Sequence, residues 1–264
     1  MDLGLKGKVA LVTAASQGLG KATALSLARE GARLAICARD AAALATTADA
    51  IRAATPGAEV HAYVCDLADA QQIEAMVVQA LAQFGTIHVL VNNAGGPPPG
   101  SFGRITDADW QRAFDLTLMS AVRTTRAVLP AMRRQRWGRI VNISSYSVKQ
   151  PIPDIMLSNS LRLGVAGWAK TLAGEVAADN VLINTVGPGW TRTDRVTQML
   201  AARAAASQLS ATEAEAQIVR GVPIGRLGEP EEIADVVVFL ASERASYVTG
   251  TLIPVDGGVV QSPT

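Results

Sequence analysis

KVALVTAASQGLGKATALSLARE, residues 8–30, reads as a strand, a turn and a helix in succession. Val9–Val12 is an apolar run short enough for a buried strand. From Ala22 the apolar residues recur at helical spacing, and Gly31 stands where a C-cap belongs. Between them lies a turn of mostly small residues, Thr13-Ala14-Ala15-Ser16-Gln17-Gly18-Leu19-Gly20. A strand that feeds such a turn and then a helix aims backbone N–H groups at one point, where the helix N-terminus adds partial positive charge. A pyrophosphate fits that arrangement. So does an ordinary tight connection, because a glycine pattern alone is weakly specific.

The rest of the chain supplies the context. At 264 residues, 49% of them apolar, it can bury a full core and fits one large α/β domain spanning 1–264. A net charge of +1 exerts no global pull toward nucleic acid or anionic membrane. The opening MDLGLKGK has no apolar signal core and no apolar run reaches membrane-spanning length, so a cytoplasmic protein is expected. Cys37 and Cys65 fall in apolar strands without a CxxC and read as core residues in a reducing compartment. His61 and His88 lie in or beside apolar strands with no companion ligands, so no metal site is expected.

Arg33–Cys37 reads as a second strand, followed by Ala38-Arg39-Asp40. In dinucleotide folds a carboxylate ending this strand grips the adenosine 2′-hydroxyl, whereas an arginine pairs with a 2′-phosphate. Ala38 is not acidic, Arg39 follows it, and Asp40 suits an N-cap, so NADP (as NADPH) is favoured over NAD. Ala41–Ala54 is an alanine-rich helix, Glu59–Cys65 a third strand, Asp69–Gln83 a helix and Ile87–Val91 a fourth strand. Strands alternating with helices this long argue for a parallel sheet with right-handed crossovers, whose ligands gather at the strands' carboxyl ends. Asp66 and Asn92-Asn93-Ala94-Gly95 fall there.

Further motifs follow in order: Gly138-Arg139-Ile140-Val141-Asn142-Ile143-Ser144-Ser145, then Pro188-Gly189, then Val255-Asp256-Gly257-Gly258. With the glycine turn and Asn92–Gly95 they make the chain resemble the short-chain dehydrogenase/reductase family, in its β-ketoacyl-carrier-protein-reductase-like branch, over nearly its whole length. The resemblance implies a single-domain Rossmann fold, a doubly wound seven-stranded parallel sheet with helices on both faces. It implies a cofactor held by Thr13, Ser16, Gly18, Leu19 and Gly20 of the turn, by Arg39, Asp66 and Leu67, by Asn93, Ala94 and Gly95, and by Arg162, Pro188, Gly189 and Thr193. It also implies a small-molecule carbonyl or alcohol substrate and a homotetramer contacted through Asp107–Gln135 and the chain end. Residues 190–225, alanine-rich from Asp194 to Gly221, would be a substrate lid built as a helix pair, and Gly96–Gly103 a loop walling the pocket. Within Asp107–Gln135, expected as one or two helices, Trp110, Phe114, Leu118 and Val122 share a face. Arg133, Arg134, Arg136 and Arg139 read either as a dock for an acidic carrier protein or coenzyme A phosphate, or as a solvated helix end. Arg139–Ile143, Val181–Val186 and Thr251–Val255 complete the strands; Leu157–Ala178 and Glu231–Leu240 are helices.

The catalytic positions depart from the family. There, a serine is followed thirteen residues on by a tyrosine and four further on by a lysine, with an asparagine in the preceding helix supporting a relay water. Ser145 matches the serine, but Ser158 stands for the tyrosine, Arg162 for the lysine and Thr117 for the asparagine. Ala14 replaces the first glycine of the turn and needs only a backbone angle that alanine can reach. Arg162 keeps a cation able to hydrogen-bond a ribose but not a tunable proton shuttle. An aliphatic hydroxyl is a far weaker acid than a phenol, so Ser158 excludes the tyrosine mechanism. Tyr146, with Lys149 nearby, could turn inward as a substitute or simply line the pocket. Alternatively Ser145 and Ser158 polarise the carbonyl and water supplies the proton. Three readings result: an NADP-dependent oxidoreductase of the 3-oxoacyl-reductase type with non-standard site residues, a catalytically silent relative binding nucleotide or an active partner, and a cofactor-free lyase of the halohydrin-dehalogenase type.

Overall fold

The computed structural model describes residues 1–262, with backbone alone at 202, 203 and 206; the last two residues of the 1–264 domain lie outside the described residues. Seven strands, β1 (Val9–Val12), β2 (Arg33–Ala38), β3 (Val60–Val64), β4 (Val89–Asn92), β5 (Gly138–Ile143), β6 (Val181–Pro188) and β7 (Leu252–Val255), form one sheet in the order β3-β2-β1-β4-β5-β6-β7. Every pairing is parallel. The order reverses between β1 and β4, and a ligand crevice in such sheets opens at that reversal.

The two faces follow from alternation along each strand. Ala10 and Val12 of β1 face one core with Leu27 of α1 (Gly18–Arg29), Leu44 and Ile51 of α2 (Ala41–Ala54), and Val237 and Leu240 of α9 (Pro230–Ala241). Val9 and Leu11 face the other, with Met76 of α3 (Ala70–Phe84), Val128 and Met132 of α5 (Ser120–Arg134), and Ala169 of α6 (Met156–Val176). Between α4 (Asp107–Phe114) and α5 the chain makes one π-turn, Asp115–Met119, which carries Thr117. The segment expected as a lid is a helix pair, α7 (Asp194–Ser207) and α8 (Ala211–Val219), packed over a small core of Leu200, Ala204, Ala214 and Leu227.

Several expectations shift. α1 begins at Gly18 rather than Ala22, because the glycines of the turn already form its first turn. On α4 and α5 the inward face is made mainly of small residues, apart from the face that carries Trp110, Phe114, Leu118 and Val122. Ala113, Thr117, Ala121, Thr124 and Val128 turn inward, where the approach to β4 needs small side chains, and Phe114 is left at the surface. The basic cluster dissolves. Arg139 is buried, donates to the carbonyls of Ser242, Gly138 and Asn180 and lies over the Trp137 ring; burial pushes it down to about 10. Arg133 pairs with Asp179 at 2.9 Å and Arg136 donates to Ala178 O, so two of the remaining three arginines also tie helix ends together.

Cys37 and Cys65 are free, fully buried and hydrogen-bonded to each other. His88 Nδ1 accepts from Val9 N at 3.0 Å, and burial lowers its proton affinity. Both histidines are therefore accounted for structurally, His61 lying edge-on to Phe84. Among the described residues no helix is long and apolar enough to cross a membrane. The chain ends are stitched together: Glu243 N donates to Leu3 O at 3.0 Å and Arg244 Nε to Asp2 O at 2.7 Å.

Candidate active site

At the crevice the glycine turn is locked to β4 by one hydroxyl and one amide. Thr13 Oγ1 donates to Asn93 O at 2.7 Å and accepts from Asn93 N at 2.8 Å. The Asn93 side chain donates to the carbonyls of Thr13 and Ala14 at 3.3 and 3.1 Å. Ala14 sits at φ +47°, the left-handed region a glycine would occupy without strain. Gly20 is required by proximity: a Cβ there would lie 2.4 Å from Ala14 O and 2.7 Å from Asn93 Nδ2. No side chain caps the first turn of α1, so its N–H groups stay open to a ligand. Ser16, Gly18 and Thr193 line one groove of about 550 Å3 between this turn and the start of α7, which Thr193 also caps.

Arg39 is exposed and enters no ion pair or hydrogen bond among the described residues. Its neighbour Asp40 accepts from Ala43 N at 3.0 Å as the N-cap of α2. The strand end thus offers a free cation and no free carboxylate, which fits a 2′-phosphate. Asp66 holds its own turn through Ala68 N at 3.0 Å, and Leu67 is buried beside it. Gly95 has open space where a Cβ would stand, whereas at Gly189 a Cβ would lie 2.5 Å from Asp256 Cα. Gly189 donates its N–H to Val255 O at 2.9 Å, which fixes the Pro188-Gly189 corner against β7.

Across the crevice, α6 brings Ser158 and Arg162 onto one face, four residues apart. Arg162 Nε donates to Ser158 Oγ at 3.1 Å, and its Nη1 donates to the carbonyls of Ile143 at 3.2 Å and Ser144 at 2.7 Å. Burial, with the charge of Arg195 as a smaller cause, pushes this guanidinium down to about 10. Ser145 Oγ accepts from Ser147 N at 3.1 Å, which leaves its proton free to donate. Behind Arg162 lies a cavity of about 20 Å3 whose lining includes Asn92, Thr117 and Asn142. Thr117 Oγ1 and Asn142 Nδ2 are buried without a partner, and the cavity has room for one water.

The structure does not join Tyr146 to this group. The phenol is buried beside Trp190 and Asp256, and no hydrogen bond links it to Ser145, Ser158 or Arg162 among the described residues. Burial pushes it up, against the Trp190 hydrogen bond that lowers it, so it is a weaker acid than free tyrosine. Lys149 lines a separate groove with Leu163 and Lys170. Two features escaped the sequence reading. One is the Asn92 network, in which Asn92 Nδ2 donates to Asn142 Oδ1 at 2.9 Å and its Oδ1 accepts from Thr124 Oγ1 at 2.6 Å. The other is Arg195, on the second residue of α7, which donates to Gly96 O at 2.7 Å and Pro97 O at 2.9 Å. An arginine directly after Thr193-Asp194, at the head of an alanine-rich segment, was the available signal.

Comparison with known proteins agrees with this layout. Residues 13–260 match the family model described as enoyl-(acyl carrier protein) reductase. The chain is 38% identical over 259 residues to the 3-oxoacyl-[acyl-carrier-protein] reductase of Thermotoga maritima, covering 97% of this chain and 99% of that one. Among solved structures it is similar to L-sorbose reductase from Gluconobacter frateurii, complexed with NADPH and L-sorbose (TM-score 0.95, 32% identity, 99% of this chain and 100% of that one). It is also similar to an NADPH-bound short chain oxidoreductase from Pseudomonas aeruginosa PAO1 described as containing an atypical catalytic center (TM-score 0.88, 34% identity, 97% of each chain).

Proposed function

The chain belongs to the short-chain dehydrogenase/reductase family, and on that premise we propose that it is an NADP(H)-dependent oxidoreductase interconverting a carbonyl and a secondary alcohol. The observation that carries the reading is the 3.1 Å hydrogen bond from Arg162 Nε to Ser158 Oγ. It occupies an oxygen lone pair of Ser158 and leaves the hydroxyl proton to donate to a substrate oxygen, beside the free proton of Ser145. Two hydroxyls and a cation stabilise the developing negative charge without becoming the proton source. Neither hydroxyl ionises near neutral pH, so the proton comes from water. When bound, the nicotinamide exchanges the hydride.

The residues suited to hold that cofactor are Ser16–Gly20 with Thr13 at the turn, Asp66 and Leu67 at the adenine end, Asn93–Gly95 with Arg162 at the middle, and Pro188, Gly189 and Thr193 at the lid. Arg39 selects the 2′-phosphate. NADPH is bound by the Gluconobacter and Pseudomonas relatives, which supports the choice. A 3-oxoacyl substrate follows the name of the Thermotoga reductase relative, while a homotetramer through α4 and α5 and a cytoplasmic setting rest on the family resemblance alone. One observation favours the silent-subunit reading: Arg162 Nη1 is occupied by main-chain carbonyls instead of standing free.

Titration with NADPH and NADH, followed by nicotinamide fluorescence, tests the proposal. NADPH is expected to bind at least tenfold tighter, about 1.4 kcal/mol, and Arg39→Ala to remove most of that preference. Binding of neither nucleotide would overturn the oxidoreductase reading. Tight NADPH binding with no turnover across ketones, 3-oxoacyl thioesters and sugars would select the silent subunit.

A further inference from the structure

Arg192 and Arg195 stand three residues apart at the start of the lid and are treated differently. Arg192 pairs with Glu215 at 2.9 Å and Glu229 at 3.3 Å. Arg195 has no carboxylate partner among the described residues; it rests on the carbonyls of Gly96 and Pro97. Gly96 makes this contact possible, since a Cβ there would lie 2.4 Å from Arg195 Nη1. Of the five N–H groups of a guanidinium, two are used in this way, so three remain for a ligand. The wall that Arg195 leans on is tied to the residues before Ser158, through Gly100 N to Asp154 O at 2.8 Å.

Arg162 is the second uncompensated cation. It also lacks a carboxylate partner, its Nη2 makes no hydrogen bond among the described residues, and it lies close enough to Arg195 for the two charges to oppose each other. A half-buried guanidinium and an exposed one, each resting on main-chain carbonyls with no carboxylate partner, leave positive charge for an anion to meet. The cofactor phosphates have their own places, at the Ser16–Gly20 turn and at Arg39. The remaining charge sits on Arg162, hydrogen-bonded to Ser158, and on Arg195, which rests on the loop that meets Asp154 through Gly100.

We propose that the carbonyl substrate itself carries an oxyanion, the carboxylate of a small oxo acid or the phosphate of a sugar phosphate, received by Arg195 with the Arg162 charge behind it. The proposal rests on the oxidoreductase reading and makes Arg195 the residue that determines substrate class. A planar guanidinium recognises a carboxylate or phosphate through paired N–H donors, which an ammonium cannot reproduce. An anchored oxyanion would also hold the carbonyl against two weak hydroxyl donors, where positioning has to compensate for the missing acid.

The test is calorimetric titration of the NADP-loaded protein with matched pairs: levulinate against methyl levulinate, acetoacetate against methyl acetoacetate, and dihydroxyacetone phosphate against dihydroxyacetone. At least one anion is expected to bind about tenfold or more tighter than its neutral partner. The pair that shows the difference identifies carboxylate or phosphate. Arg195→Gln should abolish the difference while leaving NADPH affinity within about twofold, and Arg195→Lys should keep part of it. Equal binding within every pair, no anion binding at millimolar concentration, or a difference that survives in Arg195→Gln overturns the proposal. NADPH titration of the same samples separates the two readings: if NADPH binds and no anion is preferred, only this one falls, whereas absent NADPH binding defeats both.

Discussion

On the β1–β4 side of the crevice Asn93 holds the carbonyls of Thr13 and Ala14, whereas on the β5–α6 side Arg162 holds those of Ile143 and Ser144. The two arrangements look alike and behave differently under substitution. The nucleotide side works through the course of the main chain. Alanine at position 14 is therefore absorbed at the cost of a left-handed φ, and the lock between turn and strand stays intact. The catalytic side works through functional groups. Serine for tyrosine and arginine for lysine keep the fold of α6 and change what the site can do with a proton.

The sharpest challenge to that contrast is to restore the missing acid. Ser158→Tyr combined with Arg162→Lys should raise kcat for reduction by roughly a hundredfold, the usual scale for a positioned proton donor. The same variant should acquire a pH dependence that the wild-type enzyme lacks near neutrality. Steady-state rates at saturating NADPH decide it, and an unchanged kcat would mean that α6 does not face the reacting carbonyl.

A smaller effect is expected from disturbing the main-chain side. Gly20→Ala drives a methyl into Ala14 O and Asn93 Nδ2, so the turn must move. Overpacking of this kind costs about 1–3 kcal/mol, visible as a drop in Tm and roughly a tenfold loss of NADPH affinity. Smallest is Ala14→Gly, which relieves a left-handed alanine. Chemical denaturation should show a gain of about 1 kcal/mol with kcat unaltered. A change in kcat there would break the separation between the two sides.

Most of the fold could be read in the sequence because strand and helix periods are local. β1, β4 and β5 fall within a residue or two of the runs Val9–Val12, Ile87–Val91 and Arg139–Ile143. The turn, the Asp40 cap and the Ser158–Arg162 spacing are likewise set by neighbours a few positions apart. What could not be read depends on contacts made across the chain. Arg139 looked like part of an exposed basic cluster, yet it is buried by Ser242, 103 residues away. Tyr146 sits one residue from Ser145, but the partner that turns it aside is Trp190, beyond β6. The shared face of Trp110, Phe114, Leu118 and Val122 was legible, but which face turns inward was not, because the close approach to β4 selects small and polar residues such as Thr117 and Thr124.

The stitching of Asp2 and Leu3 to Glu243 and Arg244 bears on how the molecule comes into being. β1 and α1 are made before the helix that covers α1, α9, and before the residues that clasp Asp2 and Leu3. Until α9 is made, one flank of α1 has no cover, although the turn before it already has its Asn93 lock from β4.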